Sequence, residues 1–363
     1  MYNIQKEIHM NGYRFLLHRE TWKKMEDYLA LLRSGHKPGC HLQKKLIGLD
    51  LSTITKNSFL EALIRTKKPQ IFAESQLHGD GSDWNQTELS ILGDISLAMP
   101  VTVFDNGHYH SPKIYETPFK AHLVFTSGAL LRNSYGIPPA DYKEITKGGE
   151  IDPDAYYNLY LRRLLPAFQF ANDTALQKSK KAFITIPCLG CGQFAGRFRN
   201  QLPTLLQNAI ENLLVKHAAH LKSLAVVHFE IRDDRDKVQK QYHETRLIVN
   251  PIHRGKDYTP QLNLPDVYEG EEDDFSSCEL TNIVAWDPVA WPGNDFYTGA
   301  RCTDDGVKAA ATDAMFIITG IQGKYDHQRY QYRPQTPYAT WEDVVYDKNI
   351  QLHVEDTYTL YPT

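Results

Sequence analysis

The sequence predicts an α/β fold, a mixed sheet flanked by helices and preceded by an N-terminal helical extension. Three observations carry this. Apolar residues recur at three- and four-residue steps through Glu20–Arg33, where Trp22, Met25, Leu29 and Leu32 share a face. From about residue 97 the texture changes to short β-branched and aromatic runs, Val101–Phe104 and His122–Phe125, separated by Gly, Pro and Asn turns. The pattern then alternates strand, helix, strand across Ala182–Pro187, Leu206–Leu221 and Leu224–Phe229, which argues for helices packed on a sheet.

The elements follow in order. Gly35 and Pro38 stop the first helix, and a second is expected around Ser58–Arg65 with Ser58 as its N-cap. Gly79-Asp80-Gly81-Ser82-Asp83 reads as a loop and a candidate boundary. Tyr156–Phe170 has helical period, and Pro166 is expected to kink or end it. The acidic run Glu269–Asp274 reads as a solvated loop ahead of a buried strand, Leu280–Trp286. A helix over Gly306–Thr312 and a strand over Met315–Thr319 complete the unit. The Tyr- and Pro-rich tail beyond Tyr325 shows little periodicity and is expected to wrap the surface. The division this implies is a helical extension over residues 1–96 and a main domain over 97–363.

Composition narrows the function classes. Hydrophobic residues make up 42% and charged residues 23%, with a net charge of −4, which fits a globular protein and gives no bulk reason to expect nucleic acid. Neither a membrane-length apolar run nor a secretory signal is recognisable, so no membrane partner is expected. Cys40, Cys188, Cys191, Cys278 and Cys302 are too few and too scattered for a disulfide framework, so a reducing compartment and buried thiols are expected. Cys188-Leu-Gly-Cys191 lacks a second ligand pair at zinc spacing, and His108 and His110 stand without acidic or thiolate neighbours. No metal and no cofactor is expected.

Two loops carry chemistry. Ile184–Pro187 leads into Cys188-Leu-Gly190-Cys-Gly192-Gln193-Phe194-Ala195-Gly196 and then a helix, an arrangement that can aim backbone N–H groups and a positive helix end at a diphosphate. The spacing fits neither the Rossmann fingerprint, whose third glycine would come one residue earlier, nor a Walker loop. Three glycines also suit a tight strand-to-helix turn with no ligand. The second loop runs from Trp286-Asp287-Pro288 through Pro292-Gly293-Asn294-Asp295 to Thr303-Asp304-Asp305-Gly306. It concentrates carboxylates at a strand end, where open α/β sheets bind ligands. Asp304 or Asp305 would serve equally as a helix cap. Asp105, before Asn106-Gly107, is a turn aspartate or an adenine ligand.

Together the two loops resemble those of the macrodomain family of ADP-ribose-binding proteins and ADP-ribosylhydrolases. Ile186-Pro187 with Gly192–Gly196 resembles the family's diphosphate loop, and Val284–Asp287 through Pro292–Asn294 resembles its distal-ribose loop. The ribose loop normally comes first and here comes second, which implies a permuted order. Asp287 stands where asparagine is common, the triple glycine is reduced to Gly293-Asn294-Asp295, and the glutamate pair of poly(ADP-ribose) glycohydrolases is absent, so polymer cleavage is not implied. The steps from Asp287 to Asp295 to Asp305 are similar to a divergent bacterial group with secreted Legionella effectors among its members, over roughly residues 97–325.

That resemblance implies an enzyme acting in a host cytosol, removing mono-ADP-ribose from a protein, with arginine-linked ADP-ribose on ubiquitin as the expected substrate. A host ubiquitin-conjugating enzyme is a further expected partner. It implies Asp287, Asp295 and Asp305 as catalytic residues without dividing their roles. Gly190, Gly192, Gln193, Phe194, Ala195, Gly196, Trp286, Gly293 and Asn294 would contact ADP-ribose. A non-catalytic ADP-ribose reader and a ubiquitin-pathway interaction protein are the alternatives.

Overall fold

In the computed structural model, described over residues 12–231, 237–252, 262–354 and 357–362, nine strands form one sheet. In chain order they are β1 (Arg14–His18), β2 (Ser96–Asp105), β3 (Ile114–Ser127), β4 (Lys181–Ile186), β5 (Leu224–Ile231), β6 (Val238–Tyr242), β7 (Thr245–Pro251), β8 (Cys278–Trp286) and β9 (Tyr358–Tyr361). Their order across the sheet is β9-β1-β2-β3-β8-β4-β5-β7-β6. The five strands from β3 to β7 in that order are parallel, and antiparallel pairings flank them. β8, late in the chain, inserts between β3 and β4. Asn282 of β8 fixes that insertion by donating to Thr185 Oγ1 of its register partner at 2.7 Å in the buried interior. The buried stretches of these central strands are largely apolar because helices cover both faces.

One face packs on α5 (Pro153–Gln177) and α6 (Leu202–His217). The other packs on α1 (Arg19–Arg33), α2 (Lys56–Ile64), α3 (Ala73–Gln76), α4 (Gln86–Gly93), α7 (Asp304–Ala311), α8 (Ala314–Thr319) and α9 (Trp341–Asp347). The segment before residue 97 is helical, yet it also supplies β1 to the sheet, and Phe59, Leu60 and Leu63 of α2 are fully buried in the shared core. Residues 1–11 of that segment lie outside the described residues.

Several expectations need correction. Met315–Thr319 is helical: a five-residue apolar run does not distinguish strand from helix, and Gly320, at φ 70°, ends it in the left-handed region. α5 passes through Pro166 without ending. Burial of Tyr156, Leu159, Leu164 and Phe168 outweighs the lost backbone bond, and the nearby Arg163 carbonyl accepts the Ser96 hydroxyl at 3.4 Å. The cap of α2 is Thr55, whose side chain accepts the Ser58 N–H. The tail does not merely wrap the surface: Gly323–Asp326 pairs with Gln331–Pro334, α9 carries a Thr340/Asp343 capping box, and β9 extends the sheet parallel to β1. Cys188 and Cys191 form a disulfide rather than two buried thiols.

A buried ion network ties α5 to the end of β3. Arg163 donates to Asp141 Oδ1 at 2.7 Å, to Asp94 Oδ1 at 3.2 Å and to the Gly128 carbonyl at 3.0 Å, and Arg162 donates to Asp94 Oδ2 at 2.6 Å. Asp141 in turn accepts the Leu130 N–H at 2.8 Å. Burial alone would raise the Asp94 carboxyl, but Arg162, Lys24 and Arg163 hold it well below the usual range. Its contribution to stability is therefore complete above the unfolded carboxylate pKa of about 4 and is lost as pH falls through the lower folded value. Arg163→Met leaves Asp94 and Asp141 short of a cation in the interior. It is expected to cost about 3 kcal/mol in urea unfolding at neutral pH.

Candidate functional site

The five parallel strands end at Ser127, Trp286, Ile186, Ile231 and Pro251, and Glu230 together with the residues that follow the other four ends converges on one rim. A cavity of about 390 Å³ opens there, lined among others by Gly128, Pro187, Glu230, Ile252 and Asp287. The glycine loop and the acidic loop thus share one pocket, as ligand sites at the carboxyl ends of parallel strands do.

Gly190, Gly192, Gln193 and Phe194 line the glycine-loop wall together with the Cys188–Cys191 disulfide. Gly190 takes φ 74°, and its neighbour across the rim is Gly128, where a Cβ would stand 2.2 Å from the Gly190 nitrogen. The two backbones touch because neither residue has a side chain. Tyr160 of α5 fixes this contact, donating to the Leu189 carbonyl at 2.8 Å and accepting the Ala129 N–H at 3.1 Å. The Gly190 and Gly192 N–H groups donate to no other group among the described residues, which leaves them for an anion. Ala195 and Gly196 do not line the cavity: Ala195 is fully buried, and Gly196 packs on Leu131 and Arg132 behind the loop.

Trp286, Asp287, Thr303, Asp304, Asp305 and Lys308 form the facing wall. Residues 67–73 hold its backbone in place. Lys67 donates to the Pro288 carbonyl and lies 4.1 Å above the Trp286 ring, Lys68 N–H donates to Val289 O at 2.9 Å, and Ile71 N–H donates to Asn294 Oδ1 at 2.9 Å. Burial pushes the Lys67 ammonium down to about 7. Gly293 and Asn294 sit beneath the pocket: Gly293, at φ 98°, packs on Ala309 and Met315, and Asn294 Nδ2 donates to Asp287 Oδ2. Asp295 does not face the cavity either. It accepts the Cys302 and Thr303 N–H groups at 2.8 and 3.3 Å and the Thr303 hydroxyl, so it holds the turn that carries Asp305.

Asp287 and Asp305 do face the cavity, and both are almost wholly removed from water. Burial raises Asp287 well above the usual carboxylate range, and Asp305, Glu74 and Asp295 add to the shift by like-charge repulsion. Burial, with the charges of Asp295 and Asp304, pushes Asp305 up to about 8 against the Gly306 N–H; a Thr303 hydroxyl that donated to Asp305 would oppose the rise as well. Asp305 Oδ2 has no hydrogen-bond partner. Lys308 Nζ is held by Asp304 at 2.6 Å. The site can therefore keep a carboxylic proton near neutral pH, beside a strip of backbone suited to phosphate.

Glu74 of α3, Glu230 at the end of β5, Thr303 and Lys308 join this pocket without having been expected there. Nothing in the spacing of the sequence connects Glu74 to a loop more than two hundred residues away. Thr303 was within reach, as the N-cap residue before Asp304-Asp305. Asp105 is no adenine ligand: its carboxylate accepts Arg301 at 3.0 and 2.7 Å, the Tyr325 hydroxyl at 2.6 Å and the Gly107 N–H at 2.8 Å, which occupies it, and Gly107, His108 and Tyr109 line the pocket instead. Among the described residues no His, Cys, Asp or Glu cluster could hold a metal, and no helix is long and apolar enough to cross a membrane.

The fold and site define a parallel-centred α/β protein whose glycine loop and acid loop share one rim pocket. A family model described as macrodomain effector MavL matches residues 13–338, and the chain belongs to that family. The match includes the helical segment from residue 13 as well as both loops, a wider span than the two loops alone had implied. No curated protein matches the chain. The chain is thus a macrodomain of a bacterial effector family.

The Asp305 proton sets a pH signature. Because the folded pKa lies above the unfolded value of about 4, the native state binds the extra proton between these limits, and stability falls as pH rises from about 4 to about 8. Asp305→Asn removes that loss. Its melting temperature is expected to exceed that of the wild type by a margin that widens from about pH 5 to about pH 8, read by calorimetry.

Proposed function

We propose that the chain is an ADP-ribosylhydrolase that removes mono-ADP-ribose from a protein, with arginine-linked ADP-ribose on ubiquitin as its substrate in a host cytosol. The observation that carries this reading is the pair Asp287 and Asp305: two buried carboxyls on one wall, holding a proton near neutral pH, opposite a glycine loop with free N–H groups. A reader of ADP-ribose has use for the glycine loop. It has none for a carboxylic acid with an unpaired oxygen in a site that must also accept a diphosphate.

The bond to be cut joins the anomeric carbon of the distal ribose to a guanidinium nitrogen. Broken without a proton, this bond would release the strongly basic neutral guanidine; a proton on the departing nitrogen lets the arginine leave as guanidinium. A neutral carboxyl of the Asp287/Asp305 pair supplies it as the C–N bond breaks, and the developing oxocarbenium charge is met by the ionised partner. Water then adds to the anomeric carbon and returns its proton to the carboxylate, which restores the pair. Glu74 and the ionised member of the Asp287/Asp305 pair give the pocket wall a negative field that suits a cationic arginine on the substrate side. The diphosphate lies along Gly190–Phe194, with the Phe194 ring beside the ribose.

Incubation with arginine-ADP-ribosylated ubiquitin, in parallel with proteins modified at other residue types, tests this through the free ADP-ribose released. Release from the arginine-linked substrate is expected, and absence of release from every substrate would refute hydrolysis. Asp295→Ala is expected to keep ADP-ribose affinity within about tenfold by calorimetry while losing most turnover, since it orients Asp305 without touching ligand. Unchanged turnover would remove Asp295 from the mechanism.

A further inference from the structure

Thr303 stands between two carboxylates with only one hydrogen to give. Its hydroxyl lies 2.8 Å from Asp305 Oδ1, is hydrogen-bonded to Asp295 Oδ1 and accepts the Gly306 N–H at 3.1 Å as the cap of α7. A hydroxyl donates once. If both carboxyls were ionised, one of the two oxygen–oxygen contacts would have no hydrogen in it, a repulsive arrangement between two buried carboxylates. A second proton on one carboxyl closes both contacts.

The backbone around the turn decides which carboxyl takes it. Asp295 Oδ2 accepts two N–H groups, from Cys302 and Thr303, and such donors favour the charged form. Asp305 accepts one, from Gly306 at 3.0 Å, and its other oxygen has no partner. The turn is built for this closeness: a Cβ on Gly306 would stand 1.9 Å from Asp295 Oδ1 and 2.8 Å from Thr303 Oγ1, so a side chain there would displace Asp295 from the bridge. The other titratable groups around Asp305 reinforce the same choice. Asp287 at the end of β8 and Glu74 of α3 are acidic, and Asp304 of the same helix is neutralised by Lys308. The buried Tyr297 phenol below stays neutral, because burial raises it.

We propose that the Thr303 hydroxyl sets where the site keeps its proton, accepting a hydrogen bond from a neutral Asp305 while donating its own hydrogen to an ionised Asp295. Thr303 is a positioning residue in this scheme, and the use made of the proton rests on the hydrolase reading above. When Asp305 loses its proton it becomes an acceptor, and the Thr303 hydrogen turns to one carboxylate or the other. Thr303 gains and loses no proton in the process. The neutral form of Asp305 thus has two hydrogen bonds through Thr303 and the ionised form has one.

This count gives the sign of the effect. Removing the hydroxyl costs the neutral form one more hydrogen bond than it costs the ionised form, so the Asp305 pKa falls. One net hydrogen bond corresponds to about one pH unit. A hydroxyl that simply donated to an ionised Asp305 would give the opposite shift on removal, and one that only capped α7 would give none.

Carboxyl carbon NMR of the full chain reads this directly, with the Asp305 resonance identified by its loss in Asp305→Asn. Thr303→Val is expected to lower the Asp305 midpoint by about one unit, and Thr303→Ser to restore it. Thr303→Ala gives the same reading if valine distorts the turn. A midpoint that is unchanged or raised in a folded Val or Ala variant overturns the proposal. The high-pH limb of kcat/KM for ADP-ribose release moves with the midpoint. If the wild type releases no ADP-ribose, the hydrolase reading fails, whereas the NMR titration still decides the role of Thr303.

Discussion

The parallel insertion of β8 between β3 and β4 is the constraint on which the site depends. Each parallel strand delivers the residues after it to the same edge, so the glycine loop after β4 and the acid loop after β8 meet although about a hundred residues separate them. An antiparallel β8 would send Asp287 to the far end of the sheet. The Asn282–Thr185 bond and the apolar faces of β8 hold the strand in register, since a slip of one residue would turn its core side chains to the opposite face.

Around that rim the fold invests polar interactions in rigidity. Arg163, Asp94 and Asp141 clamp the end of β3, Tyr160 joins it to the glycine loop, and residues 67–73 fasten the acid loop from the other side. The consequence is electrostatic. Asp287 and Asp305 are held in buried places on one wall, so the cost of burying their charges is expressed as raised pKa values. Asp295 instead accepts two backbone N–H groups, and three aspartates of one chemical type are thereby given different surroundings.

The parts of this arrangement that were legible in the sequence are those written in local pattern. Strands β4, β5 and β8 show as apolar runs bounded by turn residues, α1 and α6 as periodic stripes, and both site loops as clusters of Gly, Pro and Asp. What was not legible depends on long-range contact. Glu74 enters the pocket only because α3 docks on the acid loop, and β9 is a strand only because β1 offers it an edge. Met315–Thr319 reads as strand by composition and becomes helix because Gly320 ends it and the core accepts one apolar side. Gly128 shows no motif of its own; its requirement arises from the Gly190 backbone that crosses it.

The central claim, that one ligand spans both loops, is tested most directly by following backbone amide NMR signals while ADP-ribose is added to the wild-type chain. The account predicts that the Gly192 and Asp305 amides shift together, along a single saturable curve with one dissociation constant. Shifts confined to one of the two loops, or none in either, would contradict it.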